Sequence, residues 1–239
     1  MARVQNPNLE ILELAVKQLG ALTDQMVFLG GCATGLLITD DAAPPIRVTR
    51  DVDTIVHVAS LAQYHQLAEK LRDCGFVEDT SEDAPICRWV SDPVILDVMP
   101  TDSSILGFGN RWYVPAIEHA ISVSLPSGQL LQMVSSPYFL ITKLEAFDGR
   151  GEGDYVMSHD IEDIVAVLDG RPELIEEVQN TEVALIQVLA ERFMGLLEDN
   201  RFMDSVPGHM PTDIASQSRI PLILERMEAI AAGSKELQS

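Results

Sequence analysis

Cysteine is scarce in this chain: 3 of 239 residues, at Cys32, Cys74 and Cys87, with no Cys-x-x-Cys and no histidine pair nearby. That spacing points to neither a disulfide framework nor a zinc site, so the three are read as core thiols. No window approaches the roughly 18 uninterrupted apolar residues that a membrane span needs. The opening "MARVQNPNLEILELAVKQLG" has no charged segment followed by an apolar one, so it does not read as a signal peptide and a cytoplasmic protein is expected. Aromatic residues make up only 5%. Trp89, Trp112 and Tyr113 could stack on a base, but core packing is the commoner use of such side chains. The sequence contains no G-x-x-x-x-G-K-[ST], G-x-G-x-x-G or G-x-S-x-G, and its histidines have neither metal nor triad spacing. Positive charge is also in short supply. Sixteen Lys and Arg face 37 Asp and Glu, leaving a formal net charge of -21 that repels a polyanion at long range.

What is present is an ordinary globular composition, 46% hydrophobic, long enough for one large domain or two small ones. Leu9, Leu12, Val16 and Leu19 recur at helical spacing, with Pro7 and Asn8 as the helix start. "QMVFLGG" reads as a short apolar strand ending in two glycines, "CATGLLITDD" as a brief helix and "AAPPIR" as a loop. "DVDTIVHV" reads as a β-branched strand that includes His57 as a core histidine. The helix after it has capping-box spacing at Ser60 and Gln63 and a terminating Gly75. "ICRWV", "VILDVMP", "AISVSL" and "LLQMV" continue a strand-rich middle. From Ser136 the pattern turns helical. Ser136 is expected as an N-cap before Pro137, Ser158 as a second N-cap, and Gly170 as a helix end. Two further helices are separated by a loop over residues 201 to 218. The reading is an α/β part over residues 1–135 followed by a helical part over 136–239.

The chemistry concentrates in "RVTRDVDTIV". On a strand, residues i and i+2 share a face, so Asp51 and Asp53 hold their carboxylates side by side. Two like charges so close are costly unless a cation neutralises them, and Mg²⁺ favours one or two carboxylates plus substrate phosphates. Asp97, in the apolar run "VILDVMP", needs a partner if buried. It completes a cluster if its strand lies beside "DVDTIV"; otherwise it pairs with an arginine, Arg88 or Arg111. Gly30 and Gly31, at a strand end before a helix, would let backbone N–H groups approach a phosphate.

"FLGGCATGLLITDDAAPPIRVTRDVDTIVHV" resembles the first motif of the DNA polymerase β-like nucleotidyltransferases, and "ILDVM" the second, in which an acid between hydrophobic residues supplies a third metal carboxylate. "TKLEAFDGR" followed by "SHDIEDIVAVL" is similar to the third and fourth motifs of the AbiEii-like branch, the toxins of type IV toxin–antitoxin systems. The resemblance covers about residues 27 to 168. It implies the nucleotidyltransferase fold, a mixed central sheet with flanking helices before a helical C-terminal part, and Mg²⁺-dependent transfer of NMP from an NTP to an acceptor. By resemblance the acceptor is tRNA and a cognate antitoxin is a partner. Asp51, Asp53 and Asp97 would hold metal, Gly30 and Gly31 cradle phosphate, Thr49 and Arg50 contact phosphate or sugar, Lys143 and Arg150 bind the triphosphate, and Asp160 take the fourth-motif position beside Asp163. Cys32 stands where relatives often have Thr or Ser, and His159 where Arg is usual. The negative charge argues against an RNA acceptor unless Arg47, Arg50, Arg88 and Arg111 gather at the cleft mouth. Transfer to a protein or small molecule, or a non-catalytic nucleotide-binding or interaction module, are the alternative readings.

Overall fold

The computed structural model describes residues 6–150 and 153–236, with side chains described up to residue 233. It divides into two compact units. The first comprises the chain up to Leu36 together with Arg47–Ser135; the second comprises Leu37–Ile46 together with the chain from Ser136.

The first unit is built on a seven-stranded mixed sheet. Its elements are α1 (Leu9–Leu19), a 3-10 turn (Gly20–Gln25), β1 (Met26–Leu29), α2 (Gly30–Leu37), β2 (Asp51–Val56), α3 (Leu61–Asp73), β3 (Val77–Glu78), β4 (Arg88–Ser91), β5 (Val94–Pro100), α4 (Ser103–Leu106), α5 (Tyr113–Glu118), β6 (Ile121–Ser124) and β7 (Leu130–Met133). The strand order is β3-β4-β5-β2-β1-β7-β6. β2 runs parallel to β5 and antiparallel to β1, and β1 runs parallel to β7. Because side chains alternate across a pleated strand, Val52, Thr54 and Val56 of β2 share a face with Leu96 and Val98 of β5, and all five are buried. α1 lies against β2 and β5 with Leu12, Ala15, Val16 and Leu19 buried, the stripe its sequence spacing predicts. The Ser60 half of the capping box at α3 forms as expected, accepting from the Gln63 backbone N–H, whereas the Gln63 side chain accepts from Ala59 N, one residue before the cap.

β2 ends at Val56, so His57 falls outside the strand and is exposed rather than a core histidine. α1 starts directly after Asn8, as the sequence predicts, and the Asn8 side chain is drawn into longer-range bonds described below.

The second unit is helical: α6 (Ser136–Arg150), α7 (His159–Gly170), α8 (Leu174–Gln179), α9 (Val183–Glu198), α10 (Asn200–Ser205), a 3-10 turn (Val206–His209), α11 (Ile214–Gln217) and α12 (Ile220–Glu236). α6 is buried nearly all round from Ser136 to Leu144, as a helix at the centre of a bundle must be. Ser158 caps α7 by accepting from Ile161 N. Ser136 does not cap α6; the helix includes it, and its hydroxyl donates to Glu177 instead. Residues 201–218 are largely α10, the 3-10 turn and α11 rather than an unstructured loop.

The stretch 37–46 belongs with these helices. Thr39 N and Asp40 N both donate to the Gly170 carbonyl, and Arg171 donates to the Leu37 carbonyl. Gly170 lies within α7, and an added Cβ there would come within 2.7 Å of Ile38 Cγ2. Gly170 ends α7 as its position in the sequence predicts, and it is a contact glycine as well. No helix among the described residues is long and apolar enough to cross a membrane.

Candidate functional site

The parallel pairing of β2 with β5 sets Asp53 directly beside Asp97, with Asp51 beside Ile95. Partners in register share a face, so Asp51, Asp53 and Asp97 all project from the face opposite Val52 and Leu96. β4 then pairs antiparallel with β5 and puts Arg88 opposite Asp97. Its guanidinium makes the planar two-point contact that suits a carboxylate: Nε to Asp97 Oδ1 and Nη2 to Asp97 Oδ2, both 2.8 Å. The same Nη2 reaches Asp51 Oδ2 at 3.3 Å. Asp97 is buried, whereas Asp51 and Asp53 are half-buried, so the acid face opens towards solvent at the β2 side.

Two neighbours shape the carboxylates of β2. Gly30, the first residue of α2, has φ +73°, and a Cβ there would lie 1.8 Å from Asp53 Oδ2 and 2.6 Å from its Cγ. No side chain can occupy that position while the Asp53 carboxyl stays where it is. The Thr49 hydroxyl donates to Asp51 Oδ1 at 2.6 Å. Burial by itself raises the Asp51 pKa, but this bond, the residue's own backbone N–H, and the charges of Arg88 and Arg47 outweigh burial and hold it below the ordinary carboxylate range.

The field of the acids is felt by both adjacent thiols. Burial, then the charges of Asp53 and Asp51, push the Cys32 thiol far up. Burial and then Asp97 push Cys87 up to about 12. Neither is a nucleophile at neutral pH. Both are buried cysteines, in keeping with the core reading; Cys74 is half-buried.

Asn8 completes the arrangement from beneath. It is fully buried, accepts from Thr49 N at 2.9 Å, and donates to the Arg47 carbonyl at 3.1 Å and the Gly31 carbonyl at 3.4 Å. One amide thereby joins the turn that carries the two glycines to the strand entry that carries Thr49 and Asp51.

The second unit holds a different constellation. Lys143 of α6 is buried, and its ammonium donates to Asp160 Oδ1 at 3.0 Å and Asp163 Oδ2 at 2.6 Å. Arg150 donates to both oxygens of Asp160, at 3.0 and 2.9 Å, with its own side chain 70% exposed. Burial raises the Asp160 pKa, but Lys143 and Arg150 overcome it and the net displacement is downward. The D-x-x-D spacing on α7 puts both carboxylates on the face that meets Lys143, because residues three apart on a helix are neighbours.

No family model matches the chain, and no curated protein matches it. Among solved structures the chain is similar to "Crystal structure of putative nucleotidyltransferase from H. pylori", with 11% identity, a TM-score of 0.48, and 96% of each chain covered.

The residues singled out in the sequence therefore fall into two groups. Gly30, Gly31, Thr49, Asp51, Asp53 and Asp97 are assembled in the first unit; Arg50 follows Thr49 but is exposed. Lys143, Arg150, Asp160 and Asp163 are assembled in the second. The arginines expected at a cleft mouth are partly committed elsewhere: Arg88 to the acids, and Arg111 over the ring of Trp112 at 5.4 Å. Among the described residues, no group of three or more His, Cys, Asp or Glu side chains stands ready to hold a metal ion. Asn8 was missed as a contributor, because a buried amide that bonds across the fold has no local signature.

Proposed function

We propose that the protein is a nucleotidyltransferase that moves NMP from an NTP to an acceptor hydroxyl, with Mg²⁺ as cofactor. The observation that carries the reading is the register that sets Asp53 beside Asp97 on adjacent parallel strands, with Asp51 on the same face. The three carboxylates are not preassembled as a metal site, two of them being bridged by Arg88, but gathered on one face they are the oxygen donors that a hard cation takes. Bound Mg²⁺ would make the acceptor hydroxyl a better nucleophile and offset charge on the triphosphate.

The chain's own groups would do the rest. Asp51, Asp53 and Asp97 supply the oxygens, and Gly30 leaves room for the Asp53 carboxyl. Thr49 fixes the orientation of Asp51 through its hydrogen bond rather than spending its hydroxyl on phosphate. Gly30 and Gly31 at the start of α2 are the proposed approach for phosphate. In the reaction, the acceptor hydroxyl releases its proton to solvent as its oxygen bonds to the α-phosphorus, the bond from that phosphorus to the bridging oxygen breaks, and pyrophosphate leaves with the electron pair. Lys143 and Arg150 are the expected triphosphate contacts, but their charges are already engaged by Asp160 and Asp163.

On the motif resemblance we assign the chain to the AbiEii-like toxins, acting in the cytoplasm on tRNA and restrained by an antitoxin. The second reading, a protein or small-molecule acceptor, is favoured by the net charge of -21, which opposes the approach of RNA. Melting temperature separates an enzyme from an interaction module. Mg²⁺ with an NTP should stabilise the wild type and leave Asp53→Asn unchanged, because only a ligand bound to the folded state shifts the transition. A wild-type protein indifferent to every NTP would sink the proposal.

A further inference from the structure

We propose that Arg88 is the resident counter-ion of the acid face and competes with a divalent cation for Asp51 and Asp97. The inference rests on the metal-binding reading above and adds a residue that the reading did not include. A single guanidinium spans two of the three carboxylates, taking both oxygens of Asp97 at 2.8 Å and one of Asp51 at 3.3 Å. Those oxygens are the ones a metal would need, and a guanidinium and a divalent ion drawn to the same carboxylates repel each other at close range.

The contact is built into the sheet rather than borrowed from a mobile surface side chain. Arg88 sits opposite Asp97 in the β4–β5 register, and the Asp97 side chain is 9% exposed. Without a cation beside it, that buried charge would be uncompensated. The Arg88 side chain is 22% exposed, so it has a route into water when another cation takes its place. In this arrangement Asp51 and Asp97 share the single positive charge of Arg88 when metal is absent and the charge of the metal when it is bound. The fold therefore keeps its acid cluster without depending on metal, at the cost of a lower metal affinity.

Binding of Mn²⁺ alone, without nucleotide, tests this on the full chain, read by the EPR signal of free Mn²⁺ and by melting temperature. An adjacent opposite charge changes a carboxylate's proton affinity by about tenfold to a thousandfold, and the same field acts on any cation. Arg88→Gln should accordingly melt lower than the wild type without metal, bind Mn²⁺ at least about tenfold more tightly, and gain more melting temperature on saturation. Arg88→Lys, which keeps a charge but cannot span both acids, should stay folded and bind with intermediate affinity; it decides the matter if Arg88→Gln does not fold. Asp53→Asn should abolish binding in every background. If folded Arg88 variants bind Mn²⁺ no more tightly than the wild type while Asp53→Asn abolishes it, Arg88 does not compete and the metal reading survives. If no form binds Mn²⁺, the metal reading falls and this inference falls with it.

Discussion

Replacing Gly30 with alanine should be among the most damaging single-methyl additions in the first unit, for two separable reasons. The position has φ +73°, where an L side chain costs roughly 1–2 kcal/mol. The new Cβ would also lie 1.8 Å from Asp53 Oδ2, 2.6 Å from Cγ and 2.8 Å from Cβ, so the whole side chain must move rather than its tip alone. Overpacking of this kind adds about 1–3 kcal/mol, for a total of about 2–5 kcal/mol. Gly107 is the internal control: its φ is +78°, but nothing lies within 4 Å of an added Cβ. Gly107→Ala should therefore show only the backbone cost of about 1–2 kcal/mol. Urea denaturation of both variants measures the difference, and the excess at Gly30 should shrink in an Asp53→Ala background, where the carboxyl is gone. The reasoning is refuted if the two glycine variants lose the same stability within about 0.5 kcal/mol, or if removing the carboxyl leaves the excess untouched.

Two other perturbations probe the remaining polar clusters. Asn8→Ala leaves the buried Thr49 N–H and the Arg47 carbonyl without the partners they have now, which should cost about 1–3 kcal/mol by urea denaturation; a loss below about 0.5 kcal/mol would mean water replaces the amide. Lys143→Met takes a buried ammonium away from Asp163 and from Asp160, which keeps its Arg150 contact, and should cost roughly 3–5 kcal/mol at neutral pH. Because the folded-state pKa of Asp160 is depressed, its stabilising contribution is present above the unfolded carboxylate value of about 3.9 and is lost as pH falls through the lower folded value. The gap between wild type and Lys143→Met should accordingly narrow on acidification below about pH 4. A gap independent of pH would show that lost packing, not lost charge pairing, is the cause.

What was legible in the sequence was local. The α6 helix and the Ser158 and Ser60 caps follow from residues within a turn of one another, and they appear where the spacing predicts. The shared face of Asp51 and Asp53 follows from strand alternation alone. Whether Asp97 joins them depends on which strand lies beside β2, a pairing between residues 44 apart that periodicity cannot decide. The choice between Arg88 and Arg111 as its partner needed the β4–β5 register in the same way. Asn8 was read as a helix start because an Asn before an apolar stripe is a capping signal, yet its side chain is used by chain segments far away in sequence. The helices within 201–218 were obscured by Pro207, Gly208 and Pro211, whose turn signals outweigh the periodicity that a four- to six-residue helix can show. His57 lies between Val56 and Val58, so the β-branched pattern runs past the end of β2 and carries the expected strand over it.

The central claim is that Asp51, Asp53 and Asp97 form a nucleotidyl-transfer centre. It is tested most directly by incubating the protein with each α-phosphate-labelled NTP, Mg²⁺, and total tRNA, protein and small-molecule fractions in turn. The account predicts label in one fraction and stoichiometric pyrophosphate, with both lost in Asp53→Asn and on chelation of the metal. Equal labelling by wild type and Asp53→Asn, or no transfer from any NTP to any fraction, would contradict it.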